Sequence, residues 1–368
     1  MVIKIIDSTL REGRQSVFFD TILQIQDTYL DLISQMGISD IEYRNPSINT
    51  TELEIYRSLK SKFPNTNFHV HVFLNRKNID WAINDHSVEH ISTFIKSPLT
   101  DTSLEDLSYL LRGTSKKVRV GIENVTLVSN ETLEHFINLL KNEEAVDRIA
   151  FSDTLGKFTP EKIHSFLARI NTIGLNDKDV EFHLHNDYGL AASNAVQLLS
   201  EVDAMTNVVW FSTSMFGIGE RNGILSYGDL LSNMIRLGMP LTMNLQGYGK
   251  VVELMEKNNI YYNRDPICSA SFSHFASSHI IGETSEDKYH NIPPEVFGMK
   301  TQLIFNDLTG QDVFKHIAQT ILKKPVSDDG LLLKNYVVKK IKEQGRSILY
   351  FDEVVVLLRK FYEGKTLN

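Results

Sequence analysis

Short runs of β-branched and aromatic residues alternate with longer amphipathic stretches along this chain. The pattern predicts strands at VIKII from Val2, ISDIEY from Ile38, FHVHVF from Phe68 and HISTFI from His90. It continues with VRVGIE from Val118, RIAFSD from Arg148, VEFHLH from Val180 and NVVWFST from Asn207. Between them lie helical patterns such as TILQIQDTYLDLISQMG and PEKIHSFLARINTIG. The second opens on Pro160 and Glu161 and stops at Gly174, good start and stop signals. The helix pattern LSYGDLLSNMIRLG follows the eighth strand and closes the series near Gly238. Eight strand-then-helix units are what a closed parallel (β/α)8 barrel, the TIM barrel, needs. An open doubly wound sheet is the alternative, but no glycine-rich phosphate fingerprint follows the first strand to favour it.

The chain has 368 residues, enough for one barrel and a smaller appendage. We divide it into a barrel over 1–247, a linker subdomain over 248–299 and a small helical subdomain over 300–368. A hydrophobic content of 42% argues for a folded chain throughout. A net charge of −8 excludes an extended nucleic-acid surface, which would gather Lys and Arg. The single cysteine, Cys268, forms no internal disulfide and no Cys-based zinc site, so the chain reads as cytoplasmic. The opening MVIKIIDSTL does not read as a signal peptide, and no stretch has the length of a membrane span.

His183 and His185 change this picture from fold to chemistry. At i and i+2 on a strand they share a face, so both imidazoles can reach one metal ion. Core histidines also occur in such pairs, and the pair alone is a weak signal. In a parallel barrel, however, the functional groups sit at the carboxyl ends of the strands. Asp7, Arg11, Glu12 and Gln15 follow the first strand, and Glu42 and Arg44 end the second. Glu123 ends the fifth, Asp153 and Thr154 the sixth, and the two histidines the seventh. Taken singly each reads as a cap or a surface charge; together they converge on one mouth.

Four segments carry a family resemblance: DSTLREG, SDTLG, HLHND and FGIGERNGI. They resemble the metal-dependent barrel enzymes that include homocitrate, isopropylmalate and citramalate synthases and the hydroxymethylglutaryl-CoA lyases. Glu12, and Ile224 within GIGERNGI, look most like the homocitrate synthase type. FSHFASSH and KYHNIPPEVFG extend the likeness past the barrel, into a region that the lyases largely lack.

The resemblance implies an acyltransferase that condenses acetyl-CoA with a 2-oxo acid and then hydrolyses the thioester. Glu12, His183 and His185 would hold a divalent ion (Mg, Mn or Zn), a ligand set that suits Lewis-acid work. Arg11 would stabilise the alkoxide that forms. Gln15 and Thr154 would position the 2-oxo acid. His279, with Tyr289 and Glu123 as partners, would take the methyl proton of acetyl-CoA; His274 is its competitor. In the family the linker reaches a second chain, which implies a homodimer with shared active sites.

Some positions depart from the family pattern. Arg14 stands where glutamate is usual, and Arg44 and Asn45 replace small or hydroxyl residues. Arg44 is the candidate for reading the far end of the 2-oxo acid, since a guanidinium offers a bidentate fork to a carboxylate. His69 and His71 form a second HxH pair without the Asn-Asp-Gly that follows the first. They read as barrel-lining residues, with His71 touching substrate. A carbon–carbon lyase on the same barrel and a barrel without catalysis are the alternatives to a synthase.

Overall fold

The computed structural model describes residues 2–96, 98, 100–201, 208–241, 243–261, 272–285, 294, 300–324 and 330–365. The eight predicted strands are all present: β1 (Val2–Asp7), β2 (Asp40–Tyr43), β3 (Asn67–His71), β4 (His90–Ile95), β5 (Lys117–Ile122), β6 (Val146–Asp153), β7 (Asp179–Leu184) and β8 (Val208–Thr213). They pair in chain order, and β8 returns to β1 in parallel from Val2↔Val208 to Asp7↔Thr213, closing the barrel. Contacts divide the chain into two compact units, Met1–Arg14 with Thr21–Pro266, and Gln15–Asp20 with Ile267–Asn368.

Helices surround the barrel because outward residues of each strand supply an apolar face. Phe151, Phe182 and Phe211, on neighbouring strands, stack at centroid distances of 6.2 and 6.0 Å. Phe166, on the helix Pro160–Ile173, meets Phe151 edge-on at 5.3 Å. That helix starts as its sequence predicts, with the Thr159 side chain accepting from the Lys162 amide and Pro160 in the first turn. It ends at Gly174, whose φ of 72° is a conformation glycine adopts without strain.

The barrel interior is charged. Arg119 on β5 is fully buried and donates through Nε and Nη2 to Glu181 on β7, and through Nη1 to Ser92 (2.7 Å) and Glu42 (3.1 Å). Arg148 lies 3.2 Å from Glu181 and stacks over Trp210, with its guanidinium 4.0 Å from the ring centre. Below them His69 lies between Asp40 (2.9 Å) and Arg148 (3.1 Å). His69 is therefore a structural residue of the barrel floor, as its motif context implied. Burial works against every one of these ionised groups, and the opposite charges offset it. Glu181, opposed by burial, is still brought down to about 2 by Arg119 and Arg148.

In the second unit, β10 (Gln302–Phe305) pairs in parallel with β9 (Ser273–His274) and antiparallel with β11 (Leu349–Tyr350). Four helices, Ser277–Glu283, Gln311–Thr320, Gly330–Glu343 and Phe351–Lys365, accompany this sheet. Phe305, Phe314, Ile317, Val337 and Leu358 belong to their common core. The sequence predicts helices alone here, because β9 and β11 have two residues each and carry no period. No helix among the described residues is long and apolar enough to cross a membrane.

Arg119→Met strands two buried carboxylates and is expected to cost about 3–5 kcal/mol, read as a lowered urea midpoint. A loss below about 1 kcal/mol would contradict the assigned weight of this ion network.

Candidate functional site

The carboxyl ends of the barrel strands carry most of the residues singled out in the sequence. Arg11 and Glu12 lie in a one-turn helix, Thr9–Glu12, immediately after β1. Asp7 starts this turn: its carboxylate accepts from the Thr9 amide (2.9 Å), the Thr9 hydroxyl (3.1 Å) and the Tyr29 hydroxyl (2.5 Å). Arg11 Nη1 donates to Glu12 (2.5 Å) and reaches Glu42 at 3.4 Å. Glu42 also accepts from the Ser8 hydroxyl at 2.8 Å. Thus the charged column inside the barrel continues upward into the mouth.

His183 Nε2 lies 3.7 Å from Glu12 Oε1, and the rings of His183 and His185 are 5.1 Å apart. Among the described residues, Glu12 Oε2 and His183 Nδ1 are both buried without a hydrogen-bond partner. Burial lowers the pKa of His183, with Glu12 and Glu42 opposing in part. A neutral imidazole keeps a lone pair, the form a metal requires. A carboxylate and a neutral imidazole, each with an unused buried atom, are donors of the kind a divalent cation takes, and the His185 ring lies beside that of His183.

The loop after β8 closes around these groups. Arg221 donates to both oxygens of Asp187 (2.6 and 2.9 Å) and to the Thr154 carbonyl (2.7 Å), and its Nη2 lies 3.2 Å from His185 Nδ1. One guanidinium thereby ties the loop to the ends of β6 and β7. Two glycines permit the approach. At Gly219 a Cβ would stand 2.9 Å from Glu12 Oε2, and Gly223, at φ +73°, would collide with the Gly217 carbonyl if it carried one.

The other predicted positions line the same mouth or lie elsewhere. His71 ends β3 and packs on Phe73 and Phe94 at 4.9 and 5.4 Å. Burial, reinforced by Arg11, pushes its pKa down to about 3, so it is neutral. Glu123 follows β5; burial raises its carboxyl, against Lys96 and Arg11. The Thr154 hydroxyl accepts from the Asn124 amide at 3.0 Å. Arg44 follows Tyr43 at the end of β2, and its charge lowers the Glu52 carboxyl, second to that of Arg14. Arg14 is a bidentate partner of Glu52 (2.6 and 2.8 Å), which also accepts from the Tyr43 hydroxyl. This unusual arginine has a structural carboxylate in its fork.

Gln15 groups with the second unit, as does His279. His279 is buried on the helix Ser277–Glu283, and its ring is 5.9 Å from that of His274. His274 Nε2 is in turn 3.8 Å from Glu283. Tyr289 lies outside the described residues. Glu42 was noted in the sequence only as a strand end, while Arg119, Glu181 and Arg221 were not singled out. Arg221 sits inside the GIGERNGI motif, which is the one signal that pointed to it.

A family model described as HMGL-like matches residues 2–255. The cytosolic homocitrate synthase isozyme of Saccharomyces cerevisiae is 26% identical over 98% of this chain and 86% of its own. The homocitrate synthase of Pyrococcus horikoshii is 24% identical over 97% of this chain and 99% of its own. Among solved structures, the hydroxymethylglutaryl-CoA lyase of Pseudomonas aeruginosa superposes with a TM-score of 0.58 at 17% identity, covering 71% of this chain and 94% of that one. That likeness is one of fold.

Asp153, at the end of β6, accepts from the Lys157 and Phe158 amides at 2.7 and 2.9 Å. Burial nevertheless raises its pKa to about 7, with Asp187 adding to the rise. Between about pH 4 and 7 the folded chain therefore holds a proton that the unfolded chain releases, so this group makes stability fall as pH rises. Asp153→Asn removes that slope. Relative to wild type, the variant should gain up to about 1.4 kcal/mol per pH unit across this window. A stability difference that stays constant from pH 4 to 7 would contradict the assignment.

Proposed function

This chain belongs to the HMGL-like family, and from that premise we propose that it is an acyltransferase of the homocitrate, isopropylmalate and citramalate synthase type, condensing acetyl-CoA with a 2-oxo acid. The observation that carries the reading is the approach of His183 Nε2 to 3.7 Å from Glu12 Oε1 at the barrel mouth, with Glu12 Oε2 and His183 Nδ1 each buried without a hydrogen-bond partner. Relatives named as synthases match this chain over nearly its whole length. Glu12, His183 and His185 are the residues that would hold a divalent ion, Mg, Mn or Zn. When bound there it supplies Lewis acidity to the ketone of the 2-oxo acid.

The remaining roles belong to the chain itself. Arg11 uses Nη1 for Glu12 and Glu42, and the other N–H groups of its fork are the donors for negative charge developing on the former ketone oxygen. Thr154 and Gln15 orient the 2-oxo acid, His71 contributes a neutral wall, and Arg44 is the candidate for a second carboxylate. His279 takes a methyl proton from acetyl-CoA, with Tyr289 and Glu123 as partners. The resulting carbanion equivalent forms the new carbon–carbon bond to the ketone carbon, whose oxygen takes up a proton. Water then cleaves the thioester, releasing CoA and a 2-hydroxy acid with one carboxylate more than the substrate. A homodimer with active sites shared between chains, and a cytoplasmic location, complete the proposal.

The test is CoA release from acetyl-CoA, read with a thiol reagent across a panel of 2-oxo acids in Mg, Mn or Zn. CoA release should depend on the 2-oxo acid and fall by more than ~100-fold in Glu12→Gln, more than the loss of a residue that only orients a ligand. His279→Ala should lower kcat while leaving binding of the 2-oxo acid intact. Undiminished turnover in Glu12→Gln would overturn the metal assignment. Silence across the panel would favour a lyase.

A further inference from the structure

The Thr9 hydroxyl joins two parts of the barrel mouth that lie 206 residues apart in the chain. Thr9 opens the one-turn helix that carries Arg11 and Glu12. Its Oγ1 accepts from the Met215 amide at 2.8 Å, and Met215 is the first residue of the turn Met215–Gly217 that begins the loop after β8. An amide in the first turn of a helix has no partner within that helix, so this one depends on Thr9. From there the loop runs to Gly219, which lies against Glu12, and to Arg221, which reaches His185. One hydroxyl thus stands between the segment that supplies one proposed ligand and the segment that covers it and meets another.

The hydroxyl is itself held from behind. Ser8, at the usual capping position, gives no side-chain cap and bonds Glu42 instead. Asp7, fully buried at the end of β1, takes its place and accepts from the Thr9 amide and the Thr9 hydroxyl. Tyr29, fully buried on the helix Phe19–Gln35, has one proton and two acceptors in reach, Asp7 Oδ2 at 2.5 Å and Thr9 Oγ1 at 2.8 Å. The carboxylate is the stronger acceptor, so Tyr29 serves Asp7. The Thr9 proton goes to the same carboxylate, which leaves a Thr9 lone pair for the Met215 amide. The groups that favour ionised Asp7 are neutral: Tyr29, Thr9 and, from the helix Tyr227–Arg236, Tyr227. Burial raises its pKa to about 6 against them, so Asp7 is ionised at pH 7.5. A buried charge held only by neutral donors costs stability. What it secures is the orientation of Thr9.

Resting on the metal site of the condensation reading, we propose that Thr9, oriented by Asp7 and Tyr29, is a positioning residue that holds the Glu12 turn against the loop after β8 and so sets the affinity for the divalent ion. Removal of a partner that orients a metal ligand weakens metal binding by roughly 10- to 100-fold.

The experiment compares wild type, Thr9→Val, Thr9→Ser and Tyr29→Phe at pH 7.5. Mn affinity is read from the electron paramagnetic resonance signal of the free ion. Deuterium uptake of the segments 8–13 and 213–221 is followed by mass spectrometry without metal. Thr9→Val keeps the shape of threonine without its hydroxyl; it should bind Mn about tenfold or more weakly and exchange faster in both segments. Thr9→Ser, which keeps the hydroxyl, should restore both. Tyr29→Phe should shift both in the same direction by less. A folded Thr9→Val with lowered stability but wild-type Mn affinity and exchange would make Thr9 purely structural and overturn the proposal. Thr9→Ser as weak as Thr9→Val would overturn it as well. Should Thr9→Val not fold, Tyr29→Phe decides by the same two readouts. If wild type binds no Mn, the metal reading fails by itself, and the exchange rates still decide whether Thr9 joins the two segments.

Discussion

The buried ion network inside the barrel is the constraint on which the rest of the structure depends. Arg119 holds Glu181 and Glu42, Arg148 backs Glu181, and Glu42 passes the alternation on to Arg11 and Glu12. Each charge is out of water, so each depends on its neighbours, and removal of any member leaves an uncompensated ion. An apolar filling would close a barrel as well and pack it without desolvation cost. The polar one has a different consequence, because it fixes carboxylates and guanidiniums from β2, β5, β6, β7 and the turn after β1 against one another.

Glu12 and His183 gain their geometry from this network. Glu12 is held by Arg11, Arg11 by Glu42, and Glu42 by Arg119 and Ser8. His183 stays neutral in the same environment, and both residues keep a buried atom that no other described residue uses. The loop after β8 supplies the remaining support through Arg221, which spans Asp187, the Thr154 carbonyl and the edge of His185. Side chains held this way by one another are oriented before any ligand arrives, as the proposed metal site requires.

The barrel was legible in the sequence because its strands are bounded by polar turns and its helices carry a clear period. VEFHLHND and DSTLREG also showed where the chemistry lies, since charge at the end of a strand is visible locally. The interior network was not. Arg119 and Glu181 alternate with apolar residues as solvent-facing positions do, and they meet across 62 residues of chain; Arg119 and Glu42 meet across 77. Only closure of the barrel turns those positions inward. Arg14 read as a departure at the site for the same reason, its partner Glu52 lying 38 residues away.

The central claim is the proposal that Glu12, held by the ion network, forms one metal site with His183 and His185, and a direct titration decides it. Mn binding to the full chain, followed by the loss of the free-ion electron paramagnetic resonance signal, should give one ion per chain in wild type and none in His183→Ala at the same concentration, with the circular dichroism spectrum unchanged. Equal Mn binding by wild type and a folded His183→Ala would contradict the account.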